Sequence, residues 1–336
     1  MTSSAAIYGC AGTVLGDAER RFFAEANPLG FILFGRNIED PDQVRHLVAA
    51  LRDCVGRADA PVLIDQEGGR VARLRPPHWR AWPAAQRLGL LASRKTETAA
   101  EASKLIGALI GAELGALGIS VDCAPVLDLR IPGAHDVIGD RAYGADPETV
   151  ISLGGAFADG LMSRGILPIM KHIPGHGRTG ADSHTDLPRV STSLAELDRS
   201  DFMPFRGLKR LPWAMTAHIV YEAVDPTAPA TTSATVIQDI IRDRIGFDGL
   251  LLSDDLSMQA LSGSLGERAR QSLAAGCDVV LHCNGVMSEM EAVAAESSRL
   301  SATALRRIAA GAEKVKTVAR ADIASMSRRL DTLMGS

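Results

Sequence analysis

The chain has 336 residues, with 36 Lys+Arg against 40 Asp+Glu, so its formal charge is 36 − 40 = −4 at neutral pH. That balance excludes the basic excess of a nucleic-acid footprint. A composition of 46% hydrophobic and 23% charged residues excludes a disordered chain and leaves a globular protein with a large core.

The N-terminal stretch carries no basic residue before Arg20 and only a short apolar run, so no export signal is expected. No window approaches the roughly 18 apolar residues of a membrane span. The five cysteines, Cys10, Cys54, Cys123, Cys277 and Cys283, are scattered without a C-x-x-C pair. They read as reduced thiols of a cytoplasmic protein.

In chain order, strands are expected at Ala5–Gly9, Gly30–Gly35, Pro61–Asp65, Ser120–Leu127, Ile166–Lys171, Trp213–Ile219, Gly249–Ser253 and Val279–His282. Helical spacing falls at Asp17–Ala26, Pro41–Cys54, Thr96–Leu117, Pro147–Arg164, Ala234–Ile245 and Glu267–Ala275. Gly118, Gly165, Gly246 and Gly276 each stand where a helix should stop before the next strand. Eight strands alternating with helices predict α/β class: a single (β/α)8 TIM-type barrel. Ser301–Arg329 supplies extra C-terminal helices outside it. No linker-like stretch divides the chain, so residues 1–336 are expected to form one domain.

Seven strand ends are polar: 34–37, 65–67, Asp128, Lys171-His172, His218, Ser253-Asp254-Asp255 and His282. Catalysis in such barrels sits at the C-terminal strand ends. The densest group is Lys171-His172-Ile173-Pro174-Gly175-His176-Gly177, continuing to Asp182-Ser183-His184. Three histidines, a lysine and an aspartate lie there within 14 residues. Asp182 and His184, two apart, can bond through a tight turn, so that the carboxylate orients the ring and raises its basicity. The glycines lead us to expect a loop that docks His184 only when substrate binds. Gly246-Phe247-Asp248-Gly249 leads into a strand ending in Ser253-Asp254-Asp255. Strand alternation should turn only one of the two aspartates inward, leaving the other to cap a helix or hold a basic partner. Asp65-Gln66-Glu67-Gly68-Gly69-Arg70-Val71-Ala72-Arg73 fits either a polar ligand or an ion-pair network. The loop Ile138–Gly144 offers Arg141 to the same mouth.

Lys171–His184 is similar to the K-H-[FI]-P-G-H-G…D-S-H signature of family 3 glycoside hydrolases, and Gly246–Asp254 to their G-F-x-G…S-D signature. Asp65–Arg73 resembles their D-Q-E-G-G-R-V-x-R segment; Ala124–Asp128 with Ile138–Arg141 resembles A-P-V-L-D…I-G-x-R. These motifs run in order from about residue 28 to 260, and the pattern looks most like the family's single-domain bacterial β-N-acetylglucosaminidases of cell-wall recycling.

The resemblance implies Asp254 as nucleophile, His184 as general acid/base and Asp182 as its partner. Asp65, Arg73, Arg141, Lys171 and His172 match the family's sugar-binding positions. It implies a retaining β-N-acetylhexosaminidase with no cofactor and no metal, in which an imidazole replaces the second carboxylate of the usual pair. Many members with glucosidase activity carry a second domain that supplies a glutamate; about 50 residues after the eighth strand are too few for it. Ile173 stands where phenylalanine is common, a small change in wall packing. With three Trp, three Tyr and eight Phe, no stacking platform for a long polysaccharide is evident. The expected partner is a small soluble sugar or muropeptide, with no nucleic acid and no membrane. A monomer is expected, a dimer left open. Rival readings are a phosphorylase or a broader β-glycosidase on the same site, a metal-dependent hydrolase using His172, His176, Asp182 and His184, and a sugar-binding barrel without chemistry. The roles of His176 and His218 stay open.

Overall fold

A computed structural model describes residues 2–180, 187–315 and 322–335. Eight parallel strands close into a barrel in sequence order: β1 (Ser4–Gly9), β2 (Pro28–Leu33), β3 (Val62–Ile64), β4 (Val121–Asp122), β5 (Leu167–Ile173), β6 (Trp213–Thr216), β7 (Leu250–Asp255) and β8 (Val279–His282). The last strand returns to the first, with Tyr8 beside His282.

Alternation along each strand divides the apolar residues into two cores. Ile7, Ile32, Leu63, Val121, Ile169, Met215, Leu252 and Leu281 pack together inside the barrel. Their neighbours Tyr8, Phe31, Ile64, Met170, Ala214, Leu251 and Val280 belong to the larger core under the helices. Strands buried on both faces read as continuous apolar runs, which is why they stand out in the sequence.

The helices begin and end as their local chemistry requires. Asp40 accepts from the Asp42 and Gln43 amides at the start of Pro41–Val55, and Asp146 accepts from Thr149 N at the start of Pro147–Met162. Gly118, Gly165, Gly246 and Gly276 all have positive φ, between 78° and 117°, at the expected helix stops. Ala302–Glu313 and Ile323–Met334 pack outside the barrel, the first against β7 and the second against Thr96–Ala116. Among the described residues, no helix is long and apolar enough to cross a membrane.

Three elements depart from expectation. The strand predicted at Ser120–Leu127 pairs only over Val121–Asp122, because Pro125 has no N–H for the ladder; a bridge from Val126 to Lys171 resumes it. The strand predicted at Trp213–Ile219 ends at Thr216, and Val220–Tyr221 leaves the barrel to pair with Arg189–Val190. Val236–Arg244 is wound wider than an α-helix, with Ile245 N bonding back to Ile240 O.

Candidate active site

A cleft of about 160 Å³ opens at the C-terminal strand ends and is lined by Asp65, Arg73, Arg141, Lys171, His172 and Asp254 together. These six residues, drawn from four separate stretches of sequence, therefore share one cleft. Asp182 and His184 lie outside the described residues.

The β3 side of the cleft is built by a short ribbon. Gln66, fully buried, accepts from the Arg73 and Leu74 amides at 2.9 and 3.0 Å and donates to the Leu74 carbonyl. This folds Val71–Ala72 back against Gln66–Gly68 and carries Arg73 to Asp65. The turn needs glycine: Gly68 has φ 96°, and a Cβ there would stand 2.4 Å from the Pro83 carbonyl oxygen.

Two carboxylates and three cations then interlock. Lys171 Nζ lies 2.7 Å from Asp65 and 2.6 Å from Glu67; Arg73 meets Asp65 at 2.9 Å. Arg141 grips Glu67 with both Nε and a terminal nitrogen, at 2.9 and 2.8 Å. The sum is 3 − 2 = +1. Burial works to raise the Asp65 and Glu67 carboxyls, yet Lys171 with Arg73, and Arg141 with Lys171, hold them below the usual carboxylate range. Burial pulls Lys171 down while its two carboxylates push it further up, so it stays charged. The ammonium has three protons; two serve the carboxylates and one is left for the cleft. The motif from Asp65 to Arg73 is thus both an ion-pair network and a wall of the cleft.

Behind this wall Asp122 is fully buried. Burial first, then the charges of Asp65 and Glu67, push its carboxyl up to about 8 against the opposing Gln66 N–H and Lys171. Its Oδ2 has no partner among the described residues.

Asp128, also buried, accepts from His172 Nδ1 at 2.6 Å, from the His172 amide at 3.2 Å and from the His176 amide at 2.6 Å. These bonds and the two imidazoles outweigh burial and hold the Asp128 carboxyl below its ordinary value. An ionised carboxylate only accepts, so His172 carries its proton on Nδ1 and turns Nε2 to the cleft. His176 lines the cleft too, but burial, then the neighbouring His172, push it down to about 4. It is neutral at neutral pH.

Asp254 is the penultimate residue of β7, and its Oδ1 accepts the Asp255 N–H at 2.8 Å. Burial acts to raise its carboxyl, but His218, His172, this N–H and Lys171 together keep it below the ordinary carboxylate value. It is ionised at neutral pH. Asp255 corrects the expectation of alternation: both aspartates line the cleft, because the strand register slips between Leu252 and Asp255. Among the described residues the Asp255 carboxylate neither caps a helix nor pairs with a Lys or Arg. Its carboxylate takes Ser257 N, Ser257 Oγ and the Cys283 amide at 3.1, 2.5 and 3.1 Å.

The segment that leads out of β5 is anchored before it reaches residue 181. Arg178 bonds Asp201 at 2.6 Å and Glu196 at 2.9 Å, and Tyr221, fully buried, donates to the Gly175 carbonyl at 2.5 Å. A Cβ on Gly177 would meet the Leu129 oxygen at 2.0 Å. Among the described residues no cluster of three or more His, Cys, Asp or Glu is spaced to hold a metal ion.

Sequence reasoning passed over Glu67 and Asp128 as site residues, although both stand inside motifs it quoted. Their roles depend on partners 74 and 44 residues away. The available signal was residue type: a carboxylate at or just after a strand end, inside a motif already singled out.

A parallel barrel with an ionised aspartate at one strand end, facing a wall of paired carboxylates and cations, fits the frame of a glycoside hydrolase. The model of the glycosyl hydrolase family 3 N-terminal domain matches residues 16–318, and the chain belongs to that family. A β-hexosaminidase of Alkalilimnicola ehrlichii is 41% identical over 280 residues, which cover 82% of this chain and 79% of that protein. NagZ from Neisseria gonorrhoeae, solved in complex with N-trifluoroacetyl-D-glucosamine, superposes with TM-score 0.88 at 32% identity over 100% of this chain and 98% of that one. A family 3 β-N-acetylglucosaminidase from Paenibacillus gives 0.85 at 33% identity, covering 98% of this chain and 66% of that one. The chain is a glycoside hydrolase with β-N-acetylhexosaminidase activity.

Proposed function

We propose that the enzyme removes non-reducing terminal β-linked N-acetylglucosamine from soluble muropeptides derived from peptidoglycan, with retention at C1. The carrying observation is that Asp254, ionised, shares one cleft with Asp65, Arg73, Arg141, Lys171 and His172. In the first step an Asp254 oxygen attacks C1, the C1–O bond breaks, and His184 protonates the departing oxygen. In the second, neutral His184 takes a proton from water, whose oxygen attacks C1 and releases the Asp254 carboxylate. Asp182 stabilises the protonated ring in the first step and fixes its tautomer in the second.

The remaining residues hold the sugar. Asp65 keeps lone pairs for hydroxyl protons after pairing with Lys171 and Arg73; Lys171 donates its third proton, and His172 offers Nε2. A cleft of about 160 Å³ is small beside the roughly 300–1,000 Å³ of drug-sized sites, which favours one sugar unit over a polymer. The N-acetylglucosamine type of that unit is carried over from the gonococcal relative and its bound analogue. We place the reaction in the cytoplasm, where five unpaired thiols stay reduced; subcellular fractionation tests this.

The test of function uses a GlcNAc-anhydroMurNAc-peptide. Release of free N-acetylglucosamine, with unchanged rate after chelation, is expected. A slow fluorinated substrate should leave a one-sugar adduct on Asp254 in the denatured mass spectrum. A product that becomes glycosyl phosphate when phosphate is added would transfer the reading to a phosphorylase, and the absence of any adduct would remove the covalent step.

A further inference from the structure

His218 is fully buried two residues beyond β6, and the reaction steps above give it no part apart from its pull on the Asp254 carboxyl. Its Nε2 lies 3.0 Å from the Asp255 carbonyl oxygen, which only accepts, so the ring proton sits on Nε2. In the neutral ring Nδ1 is then bare. Thr231 Oγ1 stands 2.7 Å from it and has one proton to give; the Ala217 carbonyl, at 3.2 Å, is the poorer acceptor. The Thr231 oxygen is in turn 2.7 Å from Thr216 Oγ1, whose proton it receives. All three side chains are fully buried, so the chain Thr216 → Thr231 → His218 → Asp255 carbonyl is internally satisfied and runs one way. At its end Asp255 is held at every polar group: the carbonyl by His218 and by the Met258 N–H at 3.1 Å, the carboxylate by Ser257 and Cys283, and the N–H on Asp254 Oδ1.

We propose that His218, fixed as its Nε2–H tautomer by Thr231 and Thr216, is a positioning residue that sets the direction of the Asp255 N–H and, through it, the attacking oxygen of Asp254. The proposal rests on the assignment of Asp254 as nucleophile. The ring suits the task because it bonds the Asp255 carbonyl and orders the strand end without pairing directly with the carboxylate that must attack. An arginine or lysine there would hold the same carbonyl but pair with Asp254.

The test is steady-state and burst kinetics of the full chain on an aryl β-N-acetylglucosaminide. Thr231→Val removes the hydroxyl and keeps the shape; it should lower kcat about tenfold with KM within about twofold, the pattern of a lost transition-state contact. Thr231→Ser should recover most of that rate. His218→Gln, which keeps a donor near the Asp255 carbonyl, should retain more activity than His218→Leu. If His218→Leu does not fold, the two Thr231 variants decide. A folded Thr231→Val enzyme with wild-type kcat, or a loss confined to KM, would overturn the proposal. Asp254→Ala is run alongside with added azide. Turnover without azide would remove the nucleophile assignment itself, whereas a dead, azide-rescued Asp254→Ala beside a fully active Thr231→Val would sink the positioning role alone.

Discussion

Two walls of the same cleft are built by opposite means. On the β3–β5 side both carboxylates that line the cleft have cations at hydrogen-bonding distance: Asp65 with Lys171 and Arg73, Glu67 with Lys171 and Arg141. On the β6–β7 side Asp254 has a backbone N–H at 2.8 Å and, among the described residues, no Lys or Arg within ion-pair distance; Lys171 acts on it only through the field. Direct pairing makes a carboxylate a rigid acceptor for sugar hydroxyls and a poor nucleophile. A backbone dipole and remote charge keep it ionised while leaving its lone pairs free to attack. The proposed division of labour between binding and chemistry follows how each acid is neutralised.

The sharpest way to break the comparison is Asp254→Ala. It should lower kcat by at least about 10⁴-fold while ligand affinity, read by calorimetry with N-acetylglucosamine, stays within a few-fold. Next, Lys171→Met leaves Asp65 and Glu67 facing each other in the buried wall. Losing one partner of a buried ion pair costs about 3 kcal/mol or more, so denaturant unfolding should show that loss together with near-complete loss of sugar binding. Asp128→Asn should act on orientation alone. The amide can no longer serve as a charged acceptor for His172 Nδ1–H, and kcat/KM should drop roughly tenfold to a hundredfold with Tm shifted little.

The smallest effect concerns Asp122. Its carboxyl is near 8 in the fold against an ordinary 3.8, so between those values the folded chain holds a proton that the unfolded chain has released. Stability from this group is therefore full below about pH 4 and declines as pH rises toward 8. Asp122→Asn should remove that slope: the difference in Tm between variant and wild type should grow in the variant's favour from pH 5 to pH 8. A difference independent of pH would mean that Asp122 does not take up a proton on folding.

Much of this architecture was legible. Strands buried on both faces announce themselves as apolar runs, and Val279–His282 came out with the expected bounds. What was missed has local causes. The helix Ala85–Ala92 carries Gly89 because a Cβ there would stand 1.6 Å from the Tyr143 carbonyl oxygen, and that packing demand weakens its helical signal. Met287–Glu296 buries only Met290 and Val293, too narrow a stripe to register as periodic. In the site, the residue types were visible but their pairing was not. Glu67 as the holder of Arg141, Asp128 as the orienter of His172, and His218 beneath Asp255 are contacts across 74, 44 and 37 positions. The second aspartate of β7 was misread because alternation assumes an even ladder, and the ladder slips there.

Everything turns on whether Asp254 attacks carbon. Following the first turnovers on an aryl β-N-acetylglucosaminide by proton NMR decides it: the account predicts that β-N-acetylglucosamine appears first and mutarotates to the mixture, and initial release of the α-anomer would contradict it.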